Sequence, residues 1–367
     1  MNVEAETERV QLKESKEVVP LSTWVLISNL KVAYTLARQP DGSFNRELAE
    51  FLDRKVAPCN VDGVVSMDVV MDRSTGLWSR IFIPTGGANH GNVGGGNGDG
   101  AATMPIFFYF HGGSFAHSSA NSALYNTVCT HVARHCQVVV ISVNYRRSPE
   151  HRYPAAYDDC ATAVHWLAAQ INSGNHTTWL PPTADPSRCF LAGDSNGGNI
   201  AHHVAVRWAR DRTAGISPAT SSLNIVGTIL LIPMFGGTRR TPSELRYDGQ
   251  YFVTIRDRDY YWQSFLPLGA DRDHPACNIF GPNSPRLDEL PLPPMLLAVA
   301  ELDMILDWQM EYLSGMRRAG KTIHKLFLRE ATVGFFIFPN TLHFHLLMDA
   351  IKKFIRDPGA ASIGEEA

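Results

Sequence analysis

No uncharged apolar run reaches the length of about 18 residues that a membrane-spanning helix needs, so no helical span is expected. The first residues, Met1-Asn2-Val3-Glu4-Ala5-Glu6, are acidic and polar and carry no apolar signal segment. Six cysteines (59, 129, 136, 160, 189 and 277) are dispersed without a C-x-x-C pair, which argues against a zinc site or a disulfide framework and for reduced, mostly buried thiols. Charge of one sign is not in excess either. The net charge is −3 and the pI is near 6.5, so there is no global basic field and no reason to expect a nucleic-acid partner. No metal and no cofactor is expected, and the chain reads as soluble and intracellular.

What is present is enough apolar material for a large core: 44% of the 367 residues are hydrophobic and 10% aromatic. Hydrophobic periodicity places a helix over 21–37 with Ser22 as N-cap, and a short one over 46–54. The first is apolar on two sides. Trp24, Ile27, Leu30, Lys31 and Tyr34 share one face, and Val25, Leu26, Val32, Ala33 and Leu36 the other. Such a helix is either buried, or covers a cavity while meeting a second protein. Residues 1–55 therefore read as a helical extension or lid, 56–356 as the core, 86–100 as a flexible glycine-rich insert and 357–367 as a tail. Eight strands are expected: 66–71, 77–84, 104–110, 137–144, 189–192, 225–232, 294–303 and 323–328. Helices between them predict an α/β architecture with a mostly parallel sheet.

The chemistry gathers at the strand ends. Gly193-Asp-Ser-Asn-Gly197 follows a buried strand and opens a helix, the strand-turn-helix setting of a G-x-S-x-G nucleophile elbow with Ser195 at its tip. His111-Gly-Gly-Ser-Phe115 ends another buried strand, where glycine amides can face an anion. Asp303 ends a third. This combination resembles the α/β-hydrolase fold of the hormone-sensitive-lipase-like carboxylesterases. The resemblance implies a Ser195 nucleophile, an Asp303 orienting group and an oxyanion loop at Gly112 and Gly113. It also implies a histidine base in an H-G-F motif, but here that motif reads Val333-Gly334-Phe335. An isopropyl group takes no proton, so Ser195 and Asp303 are left as a vestigial triad. A displaced base at His343 or His345 would be needed for an active carboxylesterase.

Longer motifs resemble one family, the soluble gibberellin receptors of land plants. They are Val19-Pro-Leu-Ser-Thr-Trp-Val-Leu-Ile-Ser-Asn29, Phe110 to Asn121, Tyr251 to Asp259, Asp273-His-Pro-Ala-Cys277 and Ala331 to Phe335. The resemblance implies a gibberellin bound beneath a closed lid. It implies a hormone-dependent partnership with DELLA-type GRAS repressors, which are thereby marked for ubiquitin-dependent degradation in nucleus and cytoplasm. Carried over by position, the ligand contacts are Gly112, Gly113, Ser114, Tyr125, Ser195, Asn196, Val253, Asp257, Arg258, Tyr261, Asp303, Val333 and Gly334. Ile27, Lys31 and Tyr34 reach down from the lid, and Trp24, Val25, Leu26, Leu30 and Val32 offer the partner surface. The chain departs from the family's usual residues at Leu30, Asn196, Ile232, Glu301 and Phe336; Leu30 and Phe336 bear on affinity and selectivity. A pocket for another carboxylated small molecule is the remaining reading.

Overall fold

The computed structural model describes residues 21–39, 41, 43–85, 103–215 and 223–360. The insert expected over 86–100, the segment before Leu21, two residues of the 40–42 turn and most of the tail lie outside them.

Nine strands form one sheet: β1 (Asn60–Val61), β2 (Val64–Asp72), β3 (Leu77–Pro84), β4 (Met104–Phe110), β5 (Val139–Asn144), β6 (Ala184–Asp194), β7 (Ile225–Leu231), β8 (Met295–Ala300) and β9 (Ile323–Leu328), in the order β1-β2-β3-β5-β4-β6-β7-β8-β9. β1 to β3 and the β3–β5 pair are antiparallel; from β5 to β9 every pairing is parallel. The apolar run of β4 is buried on both faces, as a central parallel strand between two helical layers must be. Helices follow as α1 (Leu21–Ala37), α2 (Arg46–Leu52), α3 (Ala123–Cys136), α4 (Ala155–Ser173), α5 (Asn196–Thr213), α6 (Pro242–Tyr247), α7 (Ile255–Phe265), α8 (Leu306–Arg318) and α9 (Leu342–Arg356). Ser22, expected as N-cap, lies within helix α1 (Leu21–Ala37). Gln137, expected to open β5, takes a left-handed conformation (φ 53°) and caps α3.

Two features of this frame position the site. The first is the elbow between β6 and α5. Ser195 sits at φ 52°, ψ −120°, a conformation costly for a residue with a side chain. It is held there by a hydrogen bond from its N–H to the carbonyl of Leu231 (2.9 Å), while its own carbonyl accepts from Met234 N–H (2.8 Å). Gly197 makes the turn possible, because a Cβ there would lie 1.9 Å from the carbonyl oxygen of Phe110. The second is the anchoring of the N-terminal extension. Arg46 of α2 donates to both carboxylate oxygens of Glu150 (3.1 and 2.9 Å) and to the carbonyl of Ser148 (2.7 Å), and Ser122 donates to Asp53 (2.6 Å). α1 is thereby tethered to the core through α2.

The elbow yields a prediction. Gly197→Ala is expected to destabilise the fold by at least about 3 kcal/mol in urea unfolding, because the clash is with backbone that cannot yield. A loss below about 1 kcal/mol would contradict the close approach.

Candidate ligand site

The elbow opens into a cavity of about 920 Å³ including its mouth, in the range of small-molecule sites. α1 forms its roof. Ile27, Leu30, Lys31 and Tyr34 fall on one stripe of that helix, Arg38 continues it just past the helix end, and all five line the cavity. Ile27 lies where a Cβ on Gly334 would come within 2.6 Å of its Cδ1, so Gly334 (φ 83°) gives the roof its close seat. Trp24 packs on Phe252 (ring centroids 4.5 Å apart), and Tyr34 stacks on His117 at 3.7 Å.

Of the residues expected to contact a ligand, Gly113, Ser114, Tyr125, Ser195, Val253, Asp257, Arg258, Tyr261, Val333, Gly334, Ile27, Lys31 and Tyr34 come together around this space. Three do not line it. Gly112 turns its N–H to Asp194 Oδ1 (2.9 Å), so that amide is spent inside the protein. The Asn196 side chain is fully buried and donates to Tyr145 Oη (2.9 Å), leaving only its backbone N–H at the helix start. Asp303 is buried and accepts from Ile305 N–H (3.1 Å) and Gln309 Nε2 (2.9 Å). With no imidazole to orient, Asp303 serves as a countercharge to Arg258. Burial raises its pKa, and the guanidinium works against that rise.

Two residues assigned to the partner surface are also placed differently. Trp24 and Leu30 point inwards, because they share the helical stripe of Ile27 and Tyr34. Val25 and Val32 do face solvent, 55% and 56% exposed, with Leu26 beside them.

The polar wall is knit by contacts that sequence reasoning missed. Arg38, one residue past the end of α1, pairs with Asp257 (2.5 Å) and lies over the rings of Tyr260 and Tyr261. The other oxygen of Asp257 accepts the Thr254 N–H in a capping box at the start of α7 (3.0 Å). Burial opposes ionisation of Asp257, but the Thr254 hydrogen bonds and the Arg38 charge outweigh it and hold the carboxyl below its usual range. The capping box places Asp257, Arg258 and Tyr261 on one side of α7. Tyr261 Oη meets His117 Nε2 (2.8 Å), and Tyr34 Oη approaches Ser118 Oγ (3.4 Å). Burial pushes the Tyr34 hydroxyl up to about 12. Arg258 is buried with its Nε unpaired among the described residues, and burial lowers its pKa. Spacing held a usable signal for Arg38, since 27, 31, 34 and 38 continue one helical stripe. Ser118 and Asp194 gave none, being brought in by loop and strand geometry.

Asp194, next to the elbow serine, is the most constrained charge. Tyr109 Oη and Gly112 N–H donate to its Oδ1 (2.8 and 2.9 Å), and Tyr125 Oη to its Oδ2 (3.0 Å). Burial nevertheless raises its pKa to about 6 against these three donors. The lining carries three cations, Lys31, Arg38 and Arg258, and two carboxylates, Asp194 and Asp257; Arg38 is paired with Asp257, and Asp303 behind the lining offsets Arg258. Ser114 and Ser195 both line the cavity beside the elbow. Among the described residues the N–H groups of Gly113 and Asn196 donate to no protein acceptor.

No histidine lines the cavity among the described residues. His343 faces the carbonyl of Arg329 (2.8 Å), and both His343 and His345 sit in α9, outside the lining. His111 is buried against the carbonyl of Gly112 (2.8 Å), its pKa lowered to about 3 by burial. Glu301, another departure from the family's usual residues, accepts the Glu330 N–H (2.8 Å) and is not in the lining. Among the described residues no cluster of metal-ligating side chains occurs, and no helix is long and apolar enough to cross a membrane.

Residues 107–337 match the family model for the alpha/beta hydrolase fold. A gibberellin receptor of Arabidopsis thaliana is 52% identical, with 96% of this chain and 98% of that receptor aligned. The chain belongs to the gibberellin-receptor family. Within the same fold it is more distantly similar to carboxylesterase 20 of Arabidopsis thaliana, 33% identical over 78% of this chain and 84% of that protein. An esterase from Pyrobaculum calidifontis has the same fold, with a TM-score of 0.68 and 24% identity over 92% of this chain and 97% of its own.

The buried Asp194 generates a pH prediction. Its folded pKa of about 6 lies above the ordinary 3.8, so the folded state holds the proton more tightly and stability at this site falls as pH rises between these values. The penalty is complete above pH ~6 at about 3 kcal/mol. Urea unfolding of Asp194→Asn and wild type from pH 4 to 7 is expected to show the variant gaining that much relative to wild type. A difference independent of pH would contradict it.

Proposed function

We propose that the protein is a gibberellin receptor, in which the hormone's carboxylate takes the place an ester's oxyanion occupies in the related esterases. The observation that carries this reading is the juxtaposition of Ser195 with Val333 in one cavity under α1. The serine and the anion site remain, but the position of the base holds an isopropyl group. A buried carboxylate needs several donors, and Ser114 Oγ, Ser195 Oγ and the Gly113 and Asn196 amides supply them. Without a general base, turnover is limited to what binding and the oxyanion site contribute, about 10³–10⁴ over water. Asp303 is a relic of the triad and now balances Arg258. The apolar residues Val253, Val333 and Gly334 pack on the ring system, and Tyr34 meets a ligand hydroxyl.

The lid, residues 1–55 by this reading, gives the hormone its effect. Closing α1 commits Ile27, Lys31 and Tyr34 to the ligand and arranges the outer residues Val25, Leu26 and Val32 as an apolar surface for a partner. That partner is a DELLA-type repressor, met in nucleus and cytoplasm and passed to ubiquitin-dependent degradation.

Calorimetric titration with a bioactive gibberellin is expected to give a Kd of about 10 μM or tighter. Ser195→Ala should weaken it roughly 10-fold or more, as the loss of a hydrogen bond to a charged group does. Hormone should be required for pull-down of a DELLA N-terminal segment, and Val25→Asp should abolish capture without changing hormone affinity. Brisk cleavage of a short-chain nitrophenyl ester, lost in Ser195→Ala, would instead establish an esterase. Displacement of gibberellin by a different carboxylated molecule at lower concentration would reassign the ligand.

A further inference from the structure

The cavity has two chemically distinct walls. One is polar: Tyr34, Ser118, Arg38, Asp257 and Tyr261, joined by the contacts described above. The other is apolar. Ile232 and Phe336 belong to one buried cluster, with Leu124, Val333 and Ile337 packed against it, and all five face the cavity. Ile232 and Phe336 bring no hydrogen-bonding side-chain group to it.

Ile232 is unusual in its backbone. It lies just past the end of β7 at φ 39°, in the left-handed region, where a β-branched side chain is a genuine outlier and glycine or asparagine is at ease. The segment has no freedom to relax. Ile232 N–H donates to the carbonyl of Ala298 (2.8 Å), and its neighbours Leu231 and Met234 are bonded to the backbone of Ser195. The elbow thus imposes the conformation, and the chain fills it with a poorly suited side chain that is 1% exposed and looks into the cavity. Strain kept at a site wall is a pointer to function.

We infer that Ile232, with Phe336, is a specificity-determining residue: it requires the ligand face beside the elbow to be bare of hydroxyl groups. This rests on the reading of the cavity as a gibberellin site and names which members of that class it takes. A hydroxyl pressed against Ile232 and Phe336 would lose its water and gain no partner, so the hydroxylated analogue is rejected. Hydroxyls on the opposite face meet Tyr34, Ser118 and Asp257 and are accepted.

The test is calorimetric titration of wild type, Ile232→Asn, Ile232→Val and Phe336→Tyr with pairs of gibberellins that differ by one ring hydroxyl. For at least one pair, wild type is expected to prefer the member lacking the hydroxyl by about 10-fold or more. Ile232→Val, which keeps the apolar branched surface, should retain that ratio. Ile232→Asn or Phe336→Tyr should shrink it to less than about threefold or invert it, through gained affinity for the hydroxylated member. A merely structural effect would weaken both members equally and leave the ratio unchanged. An unchanged ratio in both polar variants, or the absence of any such pair for wild type, overturns the inference while leaving the receptor reading intact. Failure of folded wild type to bind any gibberellin overturns the receptor reading and the inference with it.

Discussion

The structure depends on one close approach of backbone to backbone. The elbow carries Ser195 at positive φ only because Gly197 lets α5 start against the end of β4, and because the Ser195 amide is tied to β7. That contact sets three strand ends in one place. β4 delivers the Gly113–Ser114 loop, β6 delivers Asp194 and Ser195, and the end of β7 delivers Ile232. The serine pair, the buried carboxylate and the apolar wall are consequences of a single packing constraint, and none can move without disturbing the others.

On this frame the N-terminal extension acts as a roof with two uses. Its inner stripe supplies apolar, cationic and hydroxyl groups to the cavity, and Arg38 locks the end of the roof to the capping box of α7. Its outer stripe leaves branched apolar side chains in water, an arrangement that a finished fold would normally avoid in one continuous patch. In the proposed receptor such a lid would couple ligand and partner without a long relay. Ligand contacts with the inner face would stabilise the same closed position that presents the outer face, so that each would favour the other by linkage.

Much of this was legible in the sequence, for identifiable reasons. The buried strands announced themselves as apolar runs, and eight of the nine were placed; β1, two residues long, carries no period to detect. The elbow and glycine loop were legible because their backbone demands glycine at fixed offsets. Side-chain direction was less so. Helical spacing puts Trp24 and Leu30 on the face of Ile27 and Tyr34, which the fold bears out; the assignment of both to the partner surface came from the resemblance and ignored that stripe. Asn196 and Gly112 sit in the right motifs, but each is spent on an internal partner, Tyr145 or Asp194, that only the folded arrangement supplies. Asp303, just past the end of β8, is held by Ile305 N–H and Gln309 and interacts with the charge of Arg258, a partner its motif gave no sign of.

The central claim is that a serine without a base has become a hydrogen-bond donor to a captive carboxylate under a closed lid. The most direct measurement is a crystal structure of the protein with a bioactive gibberellin. The account predicts an intact hormone with its carboxylate within about 3 Å of both Ser114 Oγ and Ser195 Oγ, and α1 seated over it through Ile27 and Tyr34. A hormone bound elsewhere, or an acyl group covalently attached to Ser195, would contradict it.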